Sequence, residues 1–126
     1  MIKQLILVGI GGGVGSMFRY ITSWWVSKHT LMAFPLGTFW VNILGCVLIG
    51  LFVGLSLRFG WIGKEFRLLF ITGFCGGYTT FSTFSLENME LMKSGNYYTL
   101  GLYVAASVVL GIIAVGLGIW LAKIEL

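Results

Sequence analysis

The chain has 126 residues, 58% of them hydrophobic and only 10% charged, with a formal net charge of +4 and a mean hydropathy of +0.98. A soluble domain carries about 25% charged residues, and a chain this short has much surface to cover for its volume. A soluble monomer is therefore excluded, as are intrinsic disorder and, with two cysteines, a disulfide scaffold.

What remains is a protein whose solvent is largely lipid. A helix needs about 20 residues at 1.5 Å each to cross roughly 30 Å of hydrocarbon. Uncharged runs predict four such helices, over about 4–26, 37–57, 67–92 and 97–122, in a single transmembrane domain, 1–126. The runs are too long for the alternating strands of a membrane barrel, and the connections between them leave no room for a soluble domain.

The first helix follows Lys3 and is interrupted by Arg19. It is too long for a cleaved signal peptide, and no small-residue cleavage site follows it. Gly9 and Gly13, like Gly11 and Gly15, stand at the GxxxG spacing that lets helices approach closely in lipid. The run Gly9–Ser16 only approximates a dinucleotide-binding loop, with no strand before it and no acidic ribose partner after it. Arg19 lies roughly 10 Å from the helix end, and its charge would cost about 2.5–3.5 kcal/mol at the helix centre. It either snorkels to the interface or draws anions into a vestibule.

His29 and Pro35 fall in the expected connection to the second helix. Within that helix Asn42 is at mid-span, with Thr38 one turn earlier and Gly50 and Gly54 at close-packing spacing. An Asn amide carries two N–H donors, suited to replacing the water of an anion and equally suited to joining helices.

The third expected span is anomalous. From Thr72 to Ser85 it contains no Val, Ile or Leu, but holds Gly73, Gly76 and Gly77 and six Ser or Thr hydroxyls. Glycine costs about 1 kcal/mol of helix propensity, and Ser and Thr compete with backbone hydrogen bonds. A helix break is expected near Gly76–Thr80. At that depth it must be buried in protein or line a watery cavity. Freed carbonyls there would suit a small cation, although Thr hydroxyls could satisfy a simple kink. Phe81 and Phe84, three apart, share a helix face. Their electropositive ring edges, beside the hydroxyls of Ser82 and Ser85, could hold an anion without a formal charge, or could simply pack. Glu87 and Glu90 follow on the same helix, Glu90 as a solvated interfacial group.

In the fourth helix Tyr103 and Ser107 form a polar stripe, while Gly111, Gly116 and Gly118 thin it. Four spans put both termini on one side with Lys3, Arg58, Lys64, Arg67 and Lys123. Lys28 and Lys93, with Arg19 toward them, lie on the other. That bias favours cytoplasmic termini only weakly and permits insertion in both orientations. The positive charge thus reads as topology residues, and no basic stripe with interleaved aromatics suggests nucleic acid. Cys46 and Cys75 read as small packing residues. No catalytic triad, paired carboxylates or phosphate loop suggests an enzyme. A four-helix bundle has little protected interior, so an oligomer, most simply a dimer, is expected.

Three stretches together resemble the bacterial Fluc/CrcB fluoride channels: Gly11–Gly15 with Arg19, Phe34–Asn42, and above all GFCGGYTTFSTFS at Gly73–Ser85. The resemblance covers the whole chain. It implies an all-α integral membrane protein of the bacterial inner membrane, with four transmembrane helices per subunit and the third broken at its centre, paired as an antiparallel, dual-topology homodimer. It further implies passive fluoride export through two pores, with a structural, untransported Na⁺ at the dimer centre. By the same resemblance the backbone carbonyls of Gly76 and Thr79 hold Na⁺, Asn42, Phe81 and Phe84 line the fluoride pore, and Thr38, Tyr103 and Ser107 form a polar track. Arg19 and Glu87 match further positions of the pattern, as vestibule or structural residues. Gly111 stands where the track would carry another hydroxyl, and Tyr78 where a smaller or aliphatic residue is common. The competing architecture is a small four-helix multidrug exporter, which relies on a carboxylate in the middle of its first helix. Here that helix has Arg19 and no acid, so Glu87 would have to substitute from the third. A non-transporting membrane subunit would explain the glycines but not Thr72–Ser85.

Overall fold

The computed structural model describes residues 1–124, whose regular structure is all helical, with no strand among them. Three helices are long and apolar enough to cross a membrane: α1 (Ile2–His29), α2 (Leu36–Arg58) and α6 (Tyr97–Lys123). Between α2 and α6 the chain is helical in pieces: α3 (Lys64–Phe66), a π-helical segment (Arg67–Cys75), α4 (Gly76–Tyr78) and α5 (Phe81–Lys93).

Helix ends are set by side chains that take up terminal carbonyls. His29 was expected in a loop. It is instead the last residue of α1, with Nδ1 2.8 Å from the Trp25 carbonyl oxygen, and Thr30 Oγ1 donates to the Val26 carbonyl at 2.8 Å. Those two bonds carry the helix beyond its expected end at 26. Pro35 precedes α2, where its missing N–H costs nothing. At the other end of α2, Arg58 Nη1 donates to the carbonyls of Ala122 (2.8 Å) and Ile124 (3.1 Å), so a topology charge also closes α6. Gly95, with φ of 78°, turns the chain from α5 into α6, a conformation that favours glycine. The ion pair Lys3–Glu65 (3.6 Å) ties the start of α1 to α3. Glu65 lies outside the spans, and a hydrogen bond to its own backbone N–H, then Lys3, holds its carboxyl below the usual carboxylate range.

Two backbone-to-backbone interfaces organise the bundle. On α1, a Cβ at Gly11 would strike the Leu69 carbonyl and one at Gly15 the Phe74 carbonyl; from the facing segment, a Cβ at Gly77 would strike the Gly12 carbonyl. On α2 and α6, a Cβ at Gly50 would strike the Val115 carbonyl and one at Gly118 the Val47 carbonyl. Close approach of this kind is how helices associate where lipid supplies little hydrophobic drive. Gly9 and Gly13, whose spacing suits packing within or between subunits, meet nothing within 4 Å inside this subunit. The buried core is small, Phe39, Leu91 and Tyr103, with Phe34 and Phe84 against it.

The break differs in detail from the expectation. Gly76 and Gly77 remain helical. The extended residues are Thr79 (ψ 159°) and Thr80 (φ −150°, ψ 116°). The chain bends at two β-branched residues that favour extended backbone, while Gly77 is small because Gly12 lies against it.

Candidate functional site

The break opens onto a cleft of about 540 Å³ lined by Asn42, Cys46, Cys75, Gly76, Thr79, Thr80, Phe81, Phe84 and Ser107, among others. Five of the residues singled out for chemistry in the second and third spans, and Ser107 from the fourth, therefore meet in one space. Phe81 and Phe84 stand with ring centroids 5.8 Å apart and planes tilted by 39°. Phe81 is 79% exposed, whereas Phe84 packs edge-on against Tyr103 at 4.8 Å.

Each break residue is fixed by a separate bond. Thr79 donates to the Cys75 carbonyl from both its N–H (3.0 Å) and its Oγ1 (2.9 Å). Thr80 N–H donates to Asn42 Oδ1 at 2.8 Å, and Asn42 Nδ2 donates to the Thr80 carbonyl at 3.1 Å. Thr80 Oγ1 accepts from the Thr83 N–H at 3.1 Å and caps α5, the usual role of Thr at that position. Ser107 Oγ is buried with no partner among the described residues, so this hydroxyl of the cleft is left to meet a ligand or water.

Behind Phe84 lies a second polar group. Glu87 accepts from Thr38 Oγ1 (Oε2, 3.0 Å) and from the Tyr103 hydroxyl (Oε1, 3.0 Å), joining α2, α5 and α6. Tyr103 is fully buried. Thr38 and Glu87 face a further cleft of about 390 Å³, lined also by Ser23, Ser27, Thr30 and Thr83. The polar residues thus run from the first cleft, past Phe84 and Tyr103, to Glu87 and the second cleft. Arg19 lies apart: it is half-buried on α1, lines neither cleft and has no ion pair among the described residues.

Two features were not read from the sequence. One is the grip of Asn42 on both backbone groups of Thr80, which pairing of a mid-span amide with a hydroxyl-rich break could have suggested. The other is Glu87 as the shared acceptor of Thr38 and Tyr103; its signal was a carboxylate directly after the uncharged run that ends at Leu86, within the expected span, where a charge is costly unless it has donors. Tyr78 is also accounted for: its hydroxyl lies 3.1 Å from Thr22 Oγ1 and its ring stacks on Phe74 (5.9 Å, 9°), pinning α4 to α1.

Chemically, the arrangement offers hydroxyls, an amide and ring edges to an anion, and backbone carbonyls to a cation. It has no nucleophile–base pair, and no group of three or more metal-binding side chains occurs among the described residues.

Comparison with known proteins agrees with this chemistry. Residues 6–119 match the family described as "CrcB-like protein, Camphor Resistance (CrcB)". A protein of Azobacteroides pseudotrichonymphae described as "Fluoride-specific ion channel FluC" is 51% identical over 118 residues, covering 94% of each chain. Proteins with the same description from Phocaeicola vulgatus and Flavobacterium psychrophilum are 49% and 42% identical over 121 residues, covering 96% of this chain and 99% and 98% of theirs.

Proposed function

The chain belongs to the CrcB family, and from that premise we propose that it is a fluoride-selective channel that lets fluoride leave the bacterial cytoplasm passively. It is a multi-pass membrane protein and an ion channel, not an enzyme. In this reading the two pieces Lys64–Tyr78 and Phe81–Lys93 together make a fourth crossing, since their combined length is roughly 40 Å at 1.5 Å per residue. Two copies pair in antiparallel orientation, and each contributes to two pores.

The observation that carries the reading is the alignment of uncharged donors and ring edges between the clefts. Phe81 and Phe84 line the first, Ser107 offers an unpartnered hydroxyl, and Tyr103 and Thr38 lead to the second. Fluoride holds its water tightly, so a pore must supply close donors in place of a wide lumen. At rest the Thr38 and Tyr103 hydroxyls donate to Glu87, so an ion arriving there takes a donor over from the carboxylate. Phe81 gains cover when a second copy closes the first cleft.

The break suits a structural Na⁺. Gly76 and Thr79 line the cleft, and open space lies where a Gly76 side chain would stand. The helical run ending at Tyr78 directs the negative end of its dipole at this point, and carbonyl oxygens are hard donors suited to an alkali cation. The carbonyls of Gly76 and Thr79 would hold the ion together with those of a second copy, and the bound charge would tie the two copies together.

Purified protein in liposomes loaded with fluoride and chloride tests the reading. Fluoride should leave while chloride stays. Fluoride retention equal to that of protein-free liposomes would overturn it.

A further inference from the structure

In an unbroken α-helix each N–H donates to the carbonyl four residues back. Thr80 would then donate to Gly76, and Thr83 to Thr79. Neither does so. Thr80 N–H donates to Asn42 Oδ1 on α2, and Thr83 N–H donates to Thr80 Oγ1. The carbonyls whose helical donors are diverted to side chains are those of Gly76 and Thr79; those of Gly77 and Tyr78 lose theirs simply because α5 begins at Phe81. The N–H groups between, of Phe81 and Ser82, open α5.

The diversion at Thr80 is matched on both sides of the residue. Asn42 Nδ2 also donates to the Thr80 carbonyl at 3.1 Å, so one amide from another helix holds both backbone groups. Thr80 is only 8% exposed, and buried backbone groups require partners. Without the Asn42 oxygen, the acceptor within reach of the Thr80 N–H by local rewinding is the Gly76 carbonyl, and that rewinding closes the break. The Thr80 hydroxyl does the same for Thr83: without it, the Thr83 N–H turns back toward Thr79.

We propose that Asn42 and the Thr80 hydroxyl are positioning residues that hold the third span open, diverting two N–H donors so that the Gly76 and Thr79 carbonyls stay free for a cation. This rests on the Na⁺ reading above. It is distinct from any contact of Asn42 with a passing anion, because only one of the two amide hydrogens is committed to Thr80.

The test reads cation binding and not flux. The unfolding temperature of the purified protein in detergent is followed against Na⁺ at constant ionic strength, with N-methylglucamine as the replacing cation. A ligand that binds the folded state raises this temperature saturably. The wild type should show such a rise. Asn42→Ala should increase the half-saturating Na⁺ concentration at least tenfold, and Thr80→Val should shift it the same way. Thr80→Ser, which keeps the hydroxyl, should match the wild type. Asn42→Asp, which keeps an acceptor for the Thr80 N–H, should shift it less than Asn42→Ala. An unchanged half-saturating concentration in Asn42→Ala, or in Thr80→Val, overturns the proposal for that residue. Should Asn42→Ala fail to fold, Asn42→Leu against wild type decides, since Leu fills the same volume but offers the Thr80 N–H no acceptor and must still raise the half-saturating Na⁺ concentration. A wild type with no Na⁺ response overturns the cation reading itself, a result separate from a wild type that responds while its variants respond equally.

Discussion

Replacing Tyr103 with Phe removes one oxygen from the centre of the bundle and nothing else. The ring is fully buried and packs edge-on against Phe34 (5.2 Å) and Phe84 (4.8 Å), and Phe keeps those contacts. What is lost is the 3.0 Å bond to Glu87 Oε1, which leaves the carboxylate with Thr38 alone among these donors. A hydrogen bond to a charged group contributes about 1.5–3 kcal/mol, and each 1.4 kcal/mol is tenfold. Tyr103→Phe should therefore move the unfolding equilibrium by about tenfold to a hundredfold. Titration of mixed micelles with dodecyl sulfate, followed by tryptophan fluorescence, measures this. The control is the same substitution in a Glu87→Gln background. There the charge is gone, and the cost should fall to about 0.5–1.5 kcal/mol, the usual net value of a neutral bond. No loss in Tyr103→Phe, or an equal loss in both backgrounds, would refute the reasoning that the carboxylate draws strength from this hydroxyl.

Gly118→Ala places a methyl group against the Val47 carbonyl, forces α2 from α6 and should cost about 1–3 kcal/mol, whereas Gly116→Ala enters open space and should cost little in the same titration. Phe81→Ile and Phe84→Ile should each stop fluoride efflux from liposomes while the dimer persists in size-exclusion chromatography; full efflux in both would return the rings to packing. The stability loss within the subunit should be larger for Phe84→Ile, which gives up the Tyr103 contact as well as that to Phe81, than for Phe81→Ile.

The three long helices were legible because lipid imposes a length and forbids charge, and both constraints act on consecutive residues. The ends of α2 and α6 fall within a residue of the expected 37–57 and 97–122, whereas α1 runs on to His29 instead of 26, because His29 and Thr30 bond back to its last turn. The break was legible as a concentration of glycine and hydroxyls and falls inside the expected Gly76–Thr80, but which of those residues extend was not. Low helix propensity marks Gly76 and Gly77, yet it is Thr79 and Thr80 that extend, because tertiary partners claim the Thr80 backbone. The π-helical stretch Arg67–Cys75 has no sequence periodicity of its own by which to be found. Among the site residues, neighbours on one helix such as Phe81 and Phe84 follow from spacing alone. The Asn42–Thr80 and Glu87–Tyr103 bonds join different helices, and spacing is silent about them. Nor could it separate Gly11 and Gly15, which meet backbone, from Gly9 and Gly13, which meet nothing.

The hold of Asn42 on Thr80 also bears on how the chain enters the membrane. The two residues are 38 apart, so at about 5–20 residues per second the amide waits roughly 2–8 s for its partner to be synthesised. The stretch from Thr72 to Ser85 has no Val, Ile or Leu and, with only its three Phe favouring lipid strongly, gains less by partitioning alone than the apolar runs of the long helices do. In the four-crossing arrangement proposed above, its stability there comes from α1 and α2, which present a glycine groove and a waiting amide. For this segment, membrane entry is an act of templated assembly, and a nascent chain whose first two helices fail to pair would leave the third at the bilayer surface.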